Sequence, residues 1–415
     1  MRIVYTGVLR LYLLVIRLVS LINSRARKLM RGRRGLFRNM QRELVPGKAY
    51  LWFHCASLGE FEQGRPLMEL MKREDPDCKI LLTFYSPSGY EIRKKYEGAD
   101  YVYYLPSDTP ENVRRFLDLV QPAAVFFVKY EFWFNFLDEI GKRKIPAYLV
   151  SGIFREEQLF FKWFGGWFRK KLRTFNRFYV QEEASIQLLA RHGFTNALLS
   201  GDTRFDRVLE IAAEARELPL AAAFKGDRQL VIVGSSWEAD EELLLSLELD
   251  TSRYKLLIAP HEIGEEQIAA TVARFEAKYR VMTWSGANRS NVAGAEILII
   301  DNIGMLSSLY RYGTLAYIGG GFGEGIHNIL EAAVCGLPVI FGPNYKKFSE
   351  ATELLSAGGA FCVHDAKELR NVFGLLTGDP IVQQIASEVS RNYVNKKSGA
   401  TRRIYDDFKA SFPTS

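Results

Sequence analysis

The fold is decided by Thr314-Leu315-Ala316-Tyr317-Ile318, which runs into Gly319-Gly320-Gly321-Phe322-Gly323-Glu324-Gly325-Ile326-His327-Asn328-Ile329-Leu330-Glu331 and is closed by Gly336-Leu337-Pro338-Val339-Ile340-Phe341-Gly342-Pro343. The order reads as strand, glycine loop, helix, strand. Glycines let backbone amides approach a ligand without Cβ interference, and Asn328 is placed to cap a helix running to about Cys335. Amides at such a helix start favour phosphate. Glu331, about one turn in, can accept hydrogen bonds from ribose hydroxyls, so the segment reads as a nucleotide-sugar site. The competing reading is a glycine turn that only lets strand and helix pack.

The same alternation extends in both directions. Strands are expected at Leu230–Gly234, Lys255–Ala259, Arg280–Thr283, Glu296–Ile300 and Pro338–Phe341, with helices between. Upstream, Tyr50–Ala56, Lys79–Ser86, Tyr101–Leu105, Ala123–Tyr130, Ala147–Ser151 and Phe178–Gln181 form a second strand set, interleaved with helices such as Phe61–Lys72, Pro110–Val120 and Glu182–His192. Alternation of this kind implies parallel sheets covered on both faces. The expected organisation is a basic segment 1–42, a Rossmann-like domain 43–207 for the acceptor, a linker 208–228 that reads as a helix and connector, and a nucleotide-binding domain 229–390. A C-terminal helix, 391–415, could return to the first domain. Two doubly wound α/β domains would face a cleft, with ligand groups on loops at the carboxyl ends of strands.

The net charge of +7 is concentrated: residues 1–42 hold eleven Lys/Arg and no acid, leaving the rest mildly acidic. No nucleic-acid groove is indicated. The run Ile3 to Ile22, followed by Arg25, Arg27, Lys28, Arg31, Arg33, Arg34 and Arg38, reads as an in-plane membrane helix. Arg10 and Arg17 would each cost about 2.5–3.5 kcal/mol at a bilayer centre, whereas an in-plane helix lays the arginines against an anionic membrane surface. Cys55, Cys78, Cys335 and Cys362 read as buried thiols, and no metal-ligand spacing occurs.

The first strand leads into His54-Cys55-Ala56-Ser57-Leu58-Gly59-Glu60. Glu60 stands where a carboxylate can take a proton from an attacking hydroxyl, or where it merely favours a helix start. Together with Thr83–Gly89, Lys129-Tyr130-Glu131-Phe132-Trp133, Gly201-Asp202-Thr203-Arg204-Phe205-Asp206 and the glycine segment, this resembles the 3-deoxy-D-manno-octulosonic acid (Kdo) transferases of lipopolysaccharide synthesis.

The resemblance implies a GT-B fold and an inverting, metal-independent transfer, without cofactor, from CMP-Kdo to lipid A precursor (lipid IVA) at the cytoplasmic face of the inner membrane. Glu60 would be the general base and Glu131 a second catalytic or acceptor-binding glutamate, with an N-cap for the helix from Phe132 as the alternative. Ser57, Gly59, Lys129, Ser151 and Arg155 are the acceptor or anion contacts. Ser235, Ser236, Pro260, His261, Gly304, Met305, Gly321, His327, Asn328 and Glu331 are the nucleotide contacts. Departures from the family pattern are His261 in place of Arg, Met305 in place of Glu, Lys347 in place of Asn, and a glycine loop one residue shorter. Other readings are a different GT-B transferase or epimerase, and a non-catalytic nucleotide-binding protein of the membrane surface.

Overall fold

The computed structural model describes residues 1–412. It divides into two compact units, Met1–Arg207 together with the chain from Ser398 onward, and Val208–Lys397.

The first unit is built on seven parallel strands, β1 (Tyr50–Cys55), β2 (Lys79–Phe84), β3 (Tyr101–Tyr104), β4 (Pro122–Val128), β5 (Ala147–Gly152), β6 (Arg177–Val180) and β7 (Ala197–Leu199), in the order 3-2-1-4-5-6-7. Their near-continuous apolar sequences follow from helices covering both faces. Strand order reverses between β1 and β4, so the crevice for a ligand opens at the carboxyl ends of those two strands.

The second unit repeats the plan. Strands β8 (Gln229–Ser236), β9 (Tyr254–Pro260), β10 (Val281–Thr283), β11 (Ile297–Ile299), β12 (Leu315–Ile318), β13 (Val339–Phe341) and β14 (Ala360–Cys362) are parallel in the order 10-11-9-8-12-13-14. Its reversal lies between β8 and β12, the strand that carries the glycine loop. Two edge strands, β7 and β14, were not expected: each has three residues, Ala-Leu-Leu and Ala-Phe-Cys, too short for an alternation to show.

Several boundaries differ from expectation. Residues 208–228 hold the expected helix and connector, but not as one helix: they complete the helix Arg204–Ala213 and form the helix Pro219–Lys225, which buries Ala221 and Phe224. Nor is 391–415 one helix. Residues 391–397 end the helix Pro380–Lys397, and Gly399, at φ 92°, precedes a separate helix, Ala400–Ser411. That last helix packs Ile404, Tyr405 and Phe408 into the first unit's core, and its Asp407 pairs with Arg177 at 2.8 Å.

The N-terminal segment is three helices, Arg2–Val19, Ser24–Gly32 and Leu36–Glu43. The first leaves a long apolar face open, with Ile3 88% and Leu11 62% exposed. No single described helix is long and apolar enough to cross a membrane; the first two helices pass only as a pair bent by 118°. The first is also tied to the unit behind it: the Tyr5 hydroxyl donates to Asp108 at 2.7 Å, Arg2 Nε to Asn135 at 3.2 Å, and Arg10 pairs with Glu111 at 3.0 Å. The arginine run is not all headgroup-facing. Arg33 is half-buried, donates to the Leu105 carbonyl at 2.8 Å and lies over the Tyr85 ring, while Leu36 and Met40 join the core.

Candidate functional site

In the first unit the crevice between β1 and β4 collects both predicted glutamates. Ser57 is the N-cap of the helix Leu58–Glu74, and Glu60 closes a capping box: its Oε2 accepts from Ser57 N at 2.8 Å and from Ser57 Oγ at 3.0 Å. The bland role of Glu60 is therefore real, but it occupies one oxygen. Oε1 accepts from no described residue. Burial raises the Glu60 pKa, the charge of Glu131 raises it further, and the Ser57 bonds and His54 oppose the rise.

Glu131 follows β4 and does not cap a helix, because the next helix starts at Phe134 with Trp133 before it. Its Oε2 instead accepts from Trp133 Nε1 and lies 3.0 Å from His54 Nε2. His54 is fully buried, with Nδ1 2.9 Å from Thr83 Oγ1, which itself accepts from Trp52 Nε1 at 2.8 Å. The Trp133 indole N–H lies within reach of both the Glu131 carboxylate and His54 Nε2, the latter at 3.0 Å, while His54 Nδ1 also stands 3.1 Å from the Thr83 carbonyl. A buried relay thus orients one carboxylate, whose charge keeps a second one ready to take a proton. Gly59 is exposed on the same helix start.

Lys129 and Ser151 sit at the ends of β4 and β5 with φ of 66° and 54°, a region costly for residues with a side chain. The half-buried Lys129 runs its Nζ over the Tyr130 ring. Ser151 is not presented to a ligand: it is fully buried and its hydroxyl meets Thr203 Oγ1 at 3.1 Å, tying β5 to the Gly201–Asp206 segment. Arg155 is exposed, and its charge is felt at the Tyr130 hydroxyl.

In the second unit the glycine loop follows β12, but its glycines serve packing first. A Cβ on Gly319 would stand 2.4 Å from the Ser235 carbonyl oxygen, and one on Gly321 2.5 Å from the Gly342 nitrogen. The helix is also shorter than expected, Leu330–Val334. Asn328 precedes it by two residues; its Oδ1 accepts the Leu330 amide at 3.1 Å and its Nδ2 donates to Glu331 Oε1 at 3.0 Å. Glu331 accordingly lies in the first turn rather than a turn in.

Opposite the loop, β8 ends in Ser235, at φ 55°, and Ser236. Ser236 is buried and donates its hydroxyl to Glu241 at 3.0 Å, which leaves Ser235 as the more accessible of the two. Pro260 ends β9 and turns the exposed His261 over the site. His261 stacks on Trp237 at 4.5 Å and on His327 at 4.4 Å, and Trp237 Nε1 donates to His327 Nε2 at 3.1 Å. Gly304, at φ 89°, and Met305 precede the short helix Leu306–Leu309, whose Leu306 packs beneath Gly234.

The helix Glu238–Leu245 starts on acidic residues, yet two of them are not solvated. Asp240 is 1% and Glu241 2% exposed. Asp240 accepts from Tyr317 at 2.8 Å, Gly320 N at 2.9 Å and Trp237 N at 2.9 Å, pinning the glycine loop to β8; Glu241 is held by Ser236, Thr271 and Arg274. Sequence reasoning missed Asp240, Trp237 and the partners of His54 because their roles depend on chain neighbours far away in sequence. Of the cysteines only Cys55 is buried; Cys78, Cys335 and Cys362 are partly exposed, and all four are free.

Comparison with known proteins agrees with the motifs. Residues 28–207 match the family model of the 3-deoxy-D-manno-octulosonic-acid transferases. The chain is 29% identical over 330 residues to the 3-deoxy-D-manno-octulosonic acid transferase of Aquifex aeolicus, covering 78% of this chain and 84% of that one. It is 26% identical over 387 residues to the enzyme of that name from Chlamydophila psittaci, covering 89% and 87%. Among solved structures, the UDP-GlcNAc 2-epimerase of Neisseria meningitidis aligns over 88% of this chain and all of its own, with TM-score 0.62 and 14% identity. Acinetobacter baumannii MurG aligns over 88% of this chain at TM-score 0.54 and 14% identity. These two likenesses show a shared GT-B fold.

Proposed function

We propose that this chain, which belongs to the Kdo transferase family and is a glycosyltransferase, moves Kdo from CMP-Kdo to a hydroxyl of lipid A precursor, with Glu60 as the base. The carrying observation is the pair of glutamates at the first unit's switch point, one oriented by His54 and Trp133, the other with a raised pKa and a free oxygen. The acceptor hydroxyl gives its proton to Glu60 Oε1 as its oxygen attacks the anomeric carbon of Kdo, the bond to the CMP phosphate breaks, and inversion follows from that single displacement. Lys129 and Arg155 offer positive charge to acceptor phosphates or the Kdo carboxylate.

The second unit is the donor side in this reading. Its loop from Gly321 to Asn328, with Ser235, His261 and His327, would receive the CMP phosphate, and Glu331 the ribose hydroxyls. CMP leaves with a single phosphate, a charge that amides and imidazoles can hold, so the reaction is proposed to need no metal. Attachment to an anionic membrane is proposed through the open apolar face of the helix Arg2–Val19 and the arginines behind it.

The test is turnover: CMP-Kdo generated in place and a detergent-dispersed lipid A precursor, followed by mass spectrometry. Addition of Kdo, persisting in excess EDTA, is the expected outcome. No product with CMP-Kdo, or turnover with a UDP-sugar instead, would reject this donor.

A further inference from the structure

Three rings meet on the donor side of the second unit, and only two were legible as ligand contacts. Trp237 follows β8, outside the expected set. Its indole N–H donates to His327 Nε2 at 3.1 Å, while the His261 ring lies across both at 4.5 and 4.4 Å. Indole nitrogen is only ever a donor, so this bond requires His327 Nε2 to be bare. The backbone fixes both partners: the Trp237 amide is held by Asp240, His327 N donates to the Gly319 carbonyl at 3.2 Å, and His261 N to the Ser236 carbonyl at 2.9 Å. His327 Nδ1 has no partner among the described residues.

We propose that Trp237 is a positioning residue of the donor site: it fixes His327 as the neutral, Nδ1-protonated tautomer, so that the ring offers an N–H to an anionic group of the nucleotide. The role of His327 as a ligand contact rests on the function proposed above; the tautomer assignment does not. The groups facing the ring agree with a neutral imidazole. His261 stands beside it from the β9 turn, and Lys347 holds the Glu324 carbonyl on the far side of the loop. Asp240, the one carboxylate felt at the ring, is already committed to three donors. Burial and then His261 lower the His327 pKa, and a donor on Nε2 acts in the same direction.

The experiment uses the full chain and CMP as probe. Long-range ¹H–¹⁵N spectra, with His327 identified through His327→Asn, are expected to show Nδ1 protonated at neutral pH. Trp237→Phe keeps a ring against His261 but removes the N–H. It is expected to raise the population protonated at Nε2, to move the His327 titration upward and to weaken CMP by about threefold to tenfold, the range of one hydrogen bond. In the His327→Asn background, Trp237→Phe is expected to leave CMP affinity unchanged, because Trp237 acts through that ring. Wild-type His327 protonated at Nε2, or spectra that Trp237→Phe does not alter, would overturn the proposal. A tautomer change with unchanged CMP affinity would uphold the role of Trp237 and reject His327 as a nucleotide contact.

Discussion

Glu131 Oε2 lies 3.0 Å from His54 Nε2, and the charge held there is, after burial, the main reason Glu60 keeps its proton to higher pH than an ordinary glutamate. One carboxylate is fixed by a histidine and a tryptophan so that it acts on another.

That relationship sets a pH dependence. A base with a raised pKa is protonated and inactive over a wider acid range, so the acid limb of kcat/KM is expected above the usual glutamate range, with activity rising as pH climbs through it. Glu131→Gln keeps an acceptor for Trp133 but removes the charge, and should move the limb to lower pH. A limb that stays in place, or moves upward, would disconnect the two carboxylates.

The donor side makes a separate prediction. Glu331→Ala removes a charged acceptor proposed for ribose and should weaken CMP by about 1.5–3 kcal/mol, roughly tenfold or more. Calorimetry showing unchanged affinity would reject Glu331 as the acceptor for ribose.

Gly321 tests how the loop is built. A Cβ there would meet the Gly342 backbone at 2.5 Å, so Gly321→Ala should cost about 1–3 kcal/mol as overpacking and displace the loop, with CMP affinity falling alongside. A denaturation midpoint equal to wild type would show that the contact yields freely.

The N-terminal helix is predicted to dock by a pH-sensitive contact. Burial pushes Asp108 up to about 7, against the donors Tyr5, Asn135 N and Phe136 N. Because its pKa is raised in the fold, the associated stability is complete in acid and is lost as pH rises through about 7, while the Tyr5 hydroxyl and the Arg2 charge favour the ionised form. Amide exchange of residues 2–19, corrected for intrinsic rates, should show less protection at mildly alkaline pH and in Tyr5→Phe. Equal protection across that range would remove Asp108 as the determinant.

The doubly wound plan was legible because buried parallel strands write continuous apolar runs, and Pro110–Val120 was readable from Thr109 and Pro110 alone. The edge strands β7 and β14 were not, since three residues give no period. At the site, Glu60 was visible from its place after a strand, yet its dual use as capping-box partner and open carboxylate required the structure. Asp240 and Glu241 were not legible as buried, because an acidic helix start looks alike whether it faces water or, as here, Tyr317 and Arg274. Arg33 was misread for the same reason: sequence shows a charge, not the tyrosines around it.

The most direct measurement of the central claim is the single-turnover rate of Glu60→Gln with saturating donor and acceptor, alongside its CMP affinity. Gln can still accept from Ser57 and hold the helix start, but it cannot take a proton. The expected result is a fall of at least about a hundredfold in the rate with CMP binding preserved. A rate near that of the wild type would contradict Glu60 as the base.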